Sequence, residues 1–309
     1  MKKTQNTNNT LPLMHFVPQY FHNPTDRISV ALVGAGGNGS QMLSALARIN
    51  HALRSLGMKG ISVTVYDPDK VEAPNVGRQL FTAGELGQNK AECLVTRFNR
   101  LFGTDWKAVP AKYDMKLANI VISCVDNVET RLDIGKTFRK WNITKGQVEK
   151  HNWQHGMAFN EYNAHYGFYW LDLGNGQRSG QAVLGCNRVP QPESSKYRTM
   201  EYLPTVTETF DFTKVKEEAS GPSCSMAEAL SKQDLFVNSV LVQTAGSLLW
   251  SLLTDTGLDT RGFFINLDSY RTSPMTLRDS DTELLPASLR PKKARSGKKT
   301  TKNGGNAAK

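Results

Sequence analysis

Ile28-Ser29-Val30-Ala31-Leu32-Val33-Gly34-Ala35-Gly36-Gly37-Asn38-Gly39-Ser40 is the stretch on which the fold turns. Its first six residues are almost wholly apolar, which suits a parallel strand buried on both faces. The glycines come next, and after them Met42, Leu43, Leu46, Ile49 and Leu53 recur at helical spacing until Gly57, where a helix would stop. A strand, a glycine turn and a helix in that order bring backbone N–H groups and a helix N-terminus up to a phosphate. Gly34, Gly36, Gly37 and Gly39 therefore mark a candidate nucleotide site, although the same spacing serves several dinucleotide-binding domains.

Outward from that stretch the pattern repeats. Ile61 to Tyr66 reads as a second strand, Gly87 to Leu101 as a helix, Trp106 to Val109 as a short strand, Asn119 to Val125 as a strong one, and Val128 to Trp141 as a helix. Alternation of this kind predicts a Rossmann-like, doubly wound α/β fold with a largely parallel sheet. Tyr166 to Leu173 and Gln181 to Leu184 read as a hairpin joined through Gly174-Asn175-Gly176, and Phe263 to Leu267 as a last strand, so a few antiparallel strands extend the sheet. Residues 142–165 carry no assignable pattern. The polar stretch 187–224, with Pro190, Pro192 and Pro204, is expected to be a crossing or lid loop. A helix is expected from Ser225 to about Leu253, opened by the capping box Ser225-Met226-Ala227-Glu228. The expected organisation is an N-terminal extension over 1–26, one α/β domain over 27–288, and a basic tail over 289–309.

Charge and cysteine usage narrow the class. Of the net charge of +10, eight positive charges lie between Arg290 and Lys309, with no acid among them. A Lys/Gly/Asn/Ser tail of this kind buries too little apolar surface to offset its ordering entropy, so it is expected to be disordered, with a weak contact to DNA or another polyanion as a second role. No apolar stretch follows Lys2 and Lys3, and no window reaches membrane-spanning length, so a cytoplasmic protein without membrane contact is expected. Cys93, Cys124, Cys186 and Cys224 form no C-x-x-C pair, which argues against a zinc ribbon.

The chemistry is concentrated after the second strand. Asp67 suits a ribose hydroxyl, with Asp69 beside it, but a dinucleotide site would use such an acid too. Arg78, Lys90 and the neighbouring amides Asn75 and Gln79 discriminate, because fixed cations lower the barrier when phosphate oxygens gather charge, and hydride transfer has no need of them. Asp126-Asn127 follows a strand at the ligand-binding edge of the sheet; Asp126 suits Mg²⁺ bridging phosphate oxygens, with capping of the next helix as its alternative. These residues favour an ATP-using enzyme over an NAD(P)-dependent oxidoreductase or a non-catalytic nucleotide-binding adaptor in plasmid maintenance. Cys224 sits just before an expected helix N-terminus, which favours thiolate.

The run D-P-D-K-V-x-x-x-N-x-x-R-Q from Asp67 to Gln79, the downstream Lys90, C-V-D-N from Cys124 to Asn127, and Arg131 resemble the adenylation domain of the ThiF/MoeB and ubiquitin-activating superfamily. In detail the chain is similar to ThiF-related proteins of bacterial plasmid-type PRTRC cassettes. The resemblance implies ATP- and Mg²⁺-dependent adenylation of the C-terminal glycine of a small ubiquitin-like, β-grasp protein, usually by a homodimer. It places nucleotide contacts at Gly36, Asp67, Asn75, Arg78, Lys90 and Asp126, and in some members a cysteine at the position of Cys224 takes part in sulfur or thioester chemistry. The paired C-x-x-C zinc ligands of sulfur-carrier members are missing, as is their upstream arginine segment between Leu11 and Thr25.

Overall fold

The computed structural model describes residues 11–116, 118–140, 169–212 and 233–284. Its centre is an eight-stranded sheet built from β2 (Ile28–Val33), β3 (Ile61–Tyr66), β4 (Lys107–Val109), β5 (Ile120–Ser123), β6 (Tyr169–Asn175), β7 (Ser179–Cys186), β10 (Thr260–Asn266) and β11 (Arg271–Thr276). The order is β11-β10-β7-β6-β5-β2-β3-β4. Strands β6, β5, β2, β3 and β4 run parallel, and β7, β10 and β11 extend them in antiparallel fashion. A smaller sheet, β8-β1-β9, joins β1 (Leu13–Phe16) to β8 (Arg198–Thr199) and β9 (Gly257–Leu258). The expected Rossmann-like fold with antiparallel additions is what forms.

Helices cover both faces, which is why β2 is apolar but for Ser29. Val30 and Leu32 pack into the same core as α1 (Gly37–Ser55), α2 (Lys90–Phe102) and α5 (Val237–Thr254), whereas Ala31 and Val33 face a second core with α3 (Val128–Lys140) and α4 (Val206–Thr209). All five periodic positions of α1 are buried, and Gly57 ends the segment at φ +81°, a backbone region that other residues rarely adopt. Helix α2 begins at Lys90 because the Asn89 side chain accepts from the Glu92 N–H, three residues later than the sequence pattern suggested.

Several elements differ from expectation. The hairpin joining β6 and β7 turns at residues 176–178, since Gly174 and Asn175 still pair with Gln181 and Gly180. Strand β11 was not anticipated: Arg-Thr-Ser-Pro-Met-Thr has little apolar character and contains Pro274, which an edge strand tolerates. Residues 233–236 are not helical, so the long helix expected from Ser225 is interrupted, and its described part is α5. Ser225 and Cys224 lie outside the described residues, as do residues 142–165 and the basic tail. Within 187–212 the chain runs through β8 and α4, with Met200, Tyr202, Leu203 and Val206 buried, and Arg261 holds it by donating to the Pro204 carbonyl and pairing with Asp281. Among the described residues no helix is long and apolar enough to cross a membrane.

Candidate nucleotide site

Strand β2 lies between β3 and β5, and the chain leaves it toward β3 before returning to β5 on the other side. That reversal opens a crevice at the C-terminal ends of β2 and β5. The glycine turn fills it because nothing larger fits. Gly34 has φ +91°, and a Cβ there would stand 2.7 Å from the Cys124 carbonyl oxygen; one at Gly39 would stand 1.8 Å from the Gly34 carbonyl oxygen. Side-chain-free backbone thus locks the turn against the end of β5. Helix α1 then starts with Gly36 as its N-cap, without a side-chain cap and without an acid in its first turn. Its leading N–H groups are left for another acceptor.

Asp67 follows β3 and reaches across to this turn. Its two oxygens accept from the backbone N–H of Ala35, at 2.6 Å, and of Asp69, at 2.8 Å. Burial raises its pKa, against the pull of these two donors and of Lys90. The acid that the sequence suggested for a ribose is therefore also the staple between the glycine turn and the 67–79 loop. Asn89 adds a second staple, donating to the carbonyls of Asp67 and Asp69.

Lys90, nearly buried at the start of α2, meets Asp69 at 3.1 Å; the Asp69 side chain is 65% exposed. The Asn75 amide oxygen accepts from the Glu72 N–H, so this side chain shapes its own 3-10 turn. Arg78 is half-buried and has no carboxylate partner among the described residues; burial lowers its pKa. Its Nη1 donates to Gln233 Oε1 at 2.5 Å, and its Nε is buried without an acceptor among the described residues. Among the described residues Gln79, buried beside Gly36, likewise leaves its Oε1 without a partner, and so does Asn38 its Oδ1 in the glycine turn. Three orphaned polar atoms beside one uncapped helix N-terminus are a costly arrangement unless a ligand completes it.

Asp126 is exposed beyond β5. The cap of α3 is Asn127, whose Oδ1 accepts from the Thr130 N–H at 2.8 Å, which leaves Asp126 uncommitted to capping. Arg131, part of the sequence motif, points elsewhere: it forms a buried pair with Asp172 at 2.9 Å. No group of three or more His, Cys, Asp or Glu among the described residues could hold a metal by itself. A groove of about 1200 Å³ runs along α2 instead, lined by Lys70, Glu85, Glu92, Arg97 and Leu101 among others; Arg78, Gln79 and Asn38 are not part of its lining.

The structure thus brings together the glycine turn, Asp67, Asp69, Lys90, Arg78 and Gln79. Sequence reasoning missed Gln233, Asn238 and Asp172. Asp172 had a signal, an acid inside the otherwise apolar strand Tyr169–Leu173, but Gln233 is 155 residues from Arg78 and carries none.

Known proteins share parts of this chain. Ubiquitin-like modifier-activating enzyme 5 of Culex quinquefasciatus is 26% identical over 161 residues, 45% of this chain and 36% of that protein. The protein of the same name from Aedes aegypti is 28% identical over 163 residues, with the same shares. The chain spans about a third of the length of these relatives. Among solved structures, E. coli MccB matches with TM-score 0.46 and 15% identity over 84% of this chain and 65% of its own. PaaA matches with TM-score 0.45 and 14% identity over 81% and 64%. The ThiF family model matches residues 13–281, from β1 to the 3-10 turn after β11, and so takes in the glycine turn, the 67–79 loop and Asp126 alike: the chain belongs to the ThiF family.

Proposed function

We propose that this chain uses ATP to adenylate the C-terminal carboxylate of a small ubiquitin-like, β-grasp protein. The observation that carries the reading is Arg78, a half-buried cation without a carboxylate partner among the described residues, set beside the orphaned Gln79 Oε1 and the uncapped start of α1. Departing pyrophosphate gathers charge that a fixed cation stabilises, whereas hydride transfer needs no such cation. The names of the modifier-activating relatives point to the same substrate class.

In this reading the triphosphate lies over the glycine turn, with the ribose toward Asp67. The substrate carboxylate attacks the α-phosphorus in line, and the bond to pyrophosphate breaks. No general base is required, since a carboxylate is already ionised at neutral pH. Arg78 and Lys90 take up the charge of the departing pyrophosphate from fixed positions. The Lys90–Asp69 pair opens at small cost because Asp69 is largely exposed. Asp126 would hold Mg²⁺, which supplies further charge neutralisation at phosphate oxygens; a single exposed carboxylate fits an ion that takes its other ligands from phosphate and water.

The reading extends to the PRTRC type of ThiF protein, to a homodimer, to transfer of the acyl group onto Cys224, and to a polyanion contact through the tail from Arg290 to Lys309. The decisive experiment is substrate-dependent exchange of labelled pyrophosphate into ATP, with thermal stabilisation by ATP·Mg compared against NAD(H). Exchange is expected, and Asp126→Ala should remove it while leaving a folded protein whose nucleotide affinity no longer responds to Mg²⁺. Stabilisation by NAD(H) alone, without exchange, overturns the reading.

A further inference from the structure

The contact that Arg78 does make is an unusual one for a buried guanidinium. Gln233 Oε1 accepts from Arg78 Nη1 at 2.5 Å and from Asn238 Nδ2 at 3.2 Å. Two N–H donors from separate segments converge on one oxygen, as they would on an oxygen of a phosphate. Yet a single amide oxygen serves only part of the guanidinium fork, and Arg78 Nε stays buried without an acceptor among the described residues. An anion with several oxygens satisfies both.

Asn238 is the other half of the arrangement. It is 1% exposed, in the first turn of α5, and lies directly on the glycine turn: a Cβ at Gly37 would stand 2.4 Å from its Nδ2. Its amide therefore sits where α1 begins, next to the first-turn N–H groups. Gln79, 7% exposed with an unpartnered Oε1, flanks the same turn. Gln233 itself is only half-buried and can swing outward.

We propose that Gln233 is a displaceable internal ligand: its amide oxygen holds the place of a polyphosphate oxygen between Arg78 and Asn238, and Asn238 is the second donor of that subsite. The inference rests on the adenylation reading, since it takes the anion to be the triphosphate end of the nucleotide. An internal competitor lowers apparent affinity by the fraction of time it occupies the site. It also keeps Arg78 from collecting other anions when nucleotide is absent.

The test is calorimetric titration of the full chain with inorganic tripolyphosphate and, separately, with ATP·Mg. Gln233→Ala removes the competitor, so tripolyphosphate should bind about 3- to 10-fold more tightly, the scale of one ordinary net hydrogen bond. Asn238→Asp keeps the shape but replaces the donor by a negative charge, and should weaken binding by at least about tenfold. Weaker or unchanged binding by Gln233→Ala overturns the proposal, as does wild-type affinity in Asn238→Asp. Where Asn238→Asp does not fold, the half-exposed Gln233→Ala decides alone. Wild-type protein that binds ATP and tripolyphosphate, with Gln233→Ala unchanged, leaves adenylation standing and removes only this inference. Wild-type protein that binds neither overturns both.

Discussion

Arg78 and Arg131 are both motif arginines held in polar surroundings, and they could hardly be treated more differently. Arg131 gives its Nε to both oxygens of Asp172 and its Nη2 to the Leu173 carbonyl. Asp172 in turn accepts from Ser123 Oγ at 2.5 Å, and Ser123 Oγ from Trp170 Nε1 at 2.7 Å. That network ties α3 to β5 and β6 and is complete as it stands. Among the described residues Arg78 has one neutral partner, Gln233, and an orphaned Nε. Completeness marks a residue that serves the fold; a shortfall at a half-buried cation marks one that serves a ligand.

That contrast breaks most sharply on stability. Arg131→Ala leaves Asp172, 1% exposed, as a buried charge without its partner, and should cost about 3–5 kcal/mol in chemical denaturation. Replacing the pair together, Arg131→Met with Asp172→Leu, should recover much of the loss, because the penalty comes from the stranded carboxylate. An Arg131→Ala protein as stable as wild type would place Arg131 in the ligand class instead. Arg78→Ala should show the opposite profile: pyrophosphate exchange at least about 100-fold slower, with the denaturation midpoint nearly unchanged. Robust exchange in a folded Arg78→Ala protein removes the residue from the mechanism.

The two arginines also show how far the sequence could be read. The strands β2 and β3 and the start of α3 were legible to the residue, because a parallel strand covered on both faces is largely apolar and its ends are marked by glycine or by a cap. The glycine turn and the Asp67–Gln79 loop were legible as a motif. The motif gave Arg78 a nucleotide contact and Arg131 no role, but not what separates their surroundings. That distinction depends on Asp172, 41 residues beyond Arg131, and on Gln233, brought in from the far side of the chain. Likewise β1, β8 and β9 are two to four residues long, too short for any period to show, and they exist because they pair with one another. Residues 233–236 were expected to be helical and form a turn instead, because a capping-box pattern is local and gives no warning of a turn eight residues on.

A third polar region sharpens the comparison from the side of the fold. His15, fully buried in β1, faces the Met200 carbonyl with Nδ1 at 2.7 Å and the Tyr169 hydroxyl with Nε2 at 2.8 Å. A carbonyl only accepts, so Nδ1 carries the proton and Nε2 accepts from Tyr169. Cys186 Sγ lies 3.9 Å from Nε2, and no carboxylate among the described residues is bonded to the ring. Like the Arg131 network, this one is complete, but only while the ring is neutral. Burial lowers the His15 pKa from 6.5 to about 4, against the pull of the Met200 carbonyl. The unfolded chain therefore takes the proton first as pH falls. The stabilisation from His15 is full above pH 6.5 and is lost progressively toward pH 4, by about 2 kcal/mol between pH 7 and pH 5. His15→Gln cannot titrate, so the stability gap between wild type and this variant should shrink by that amount over the same interval. A gap that stays constant would mean that His15 protonates equally in both states, and that the join between β1 and the main sheet is wetter than its geometry shows.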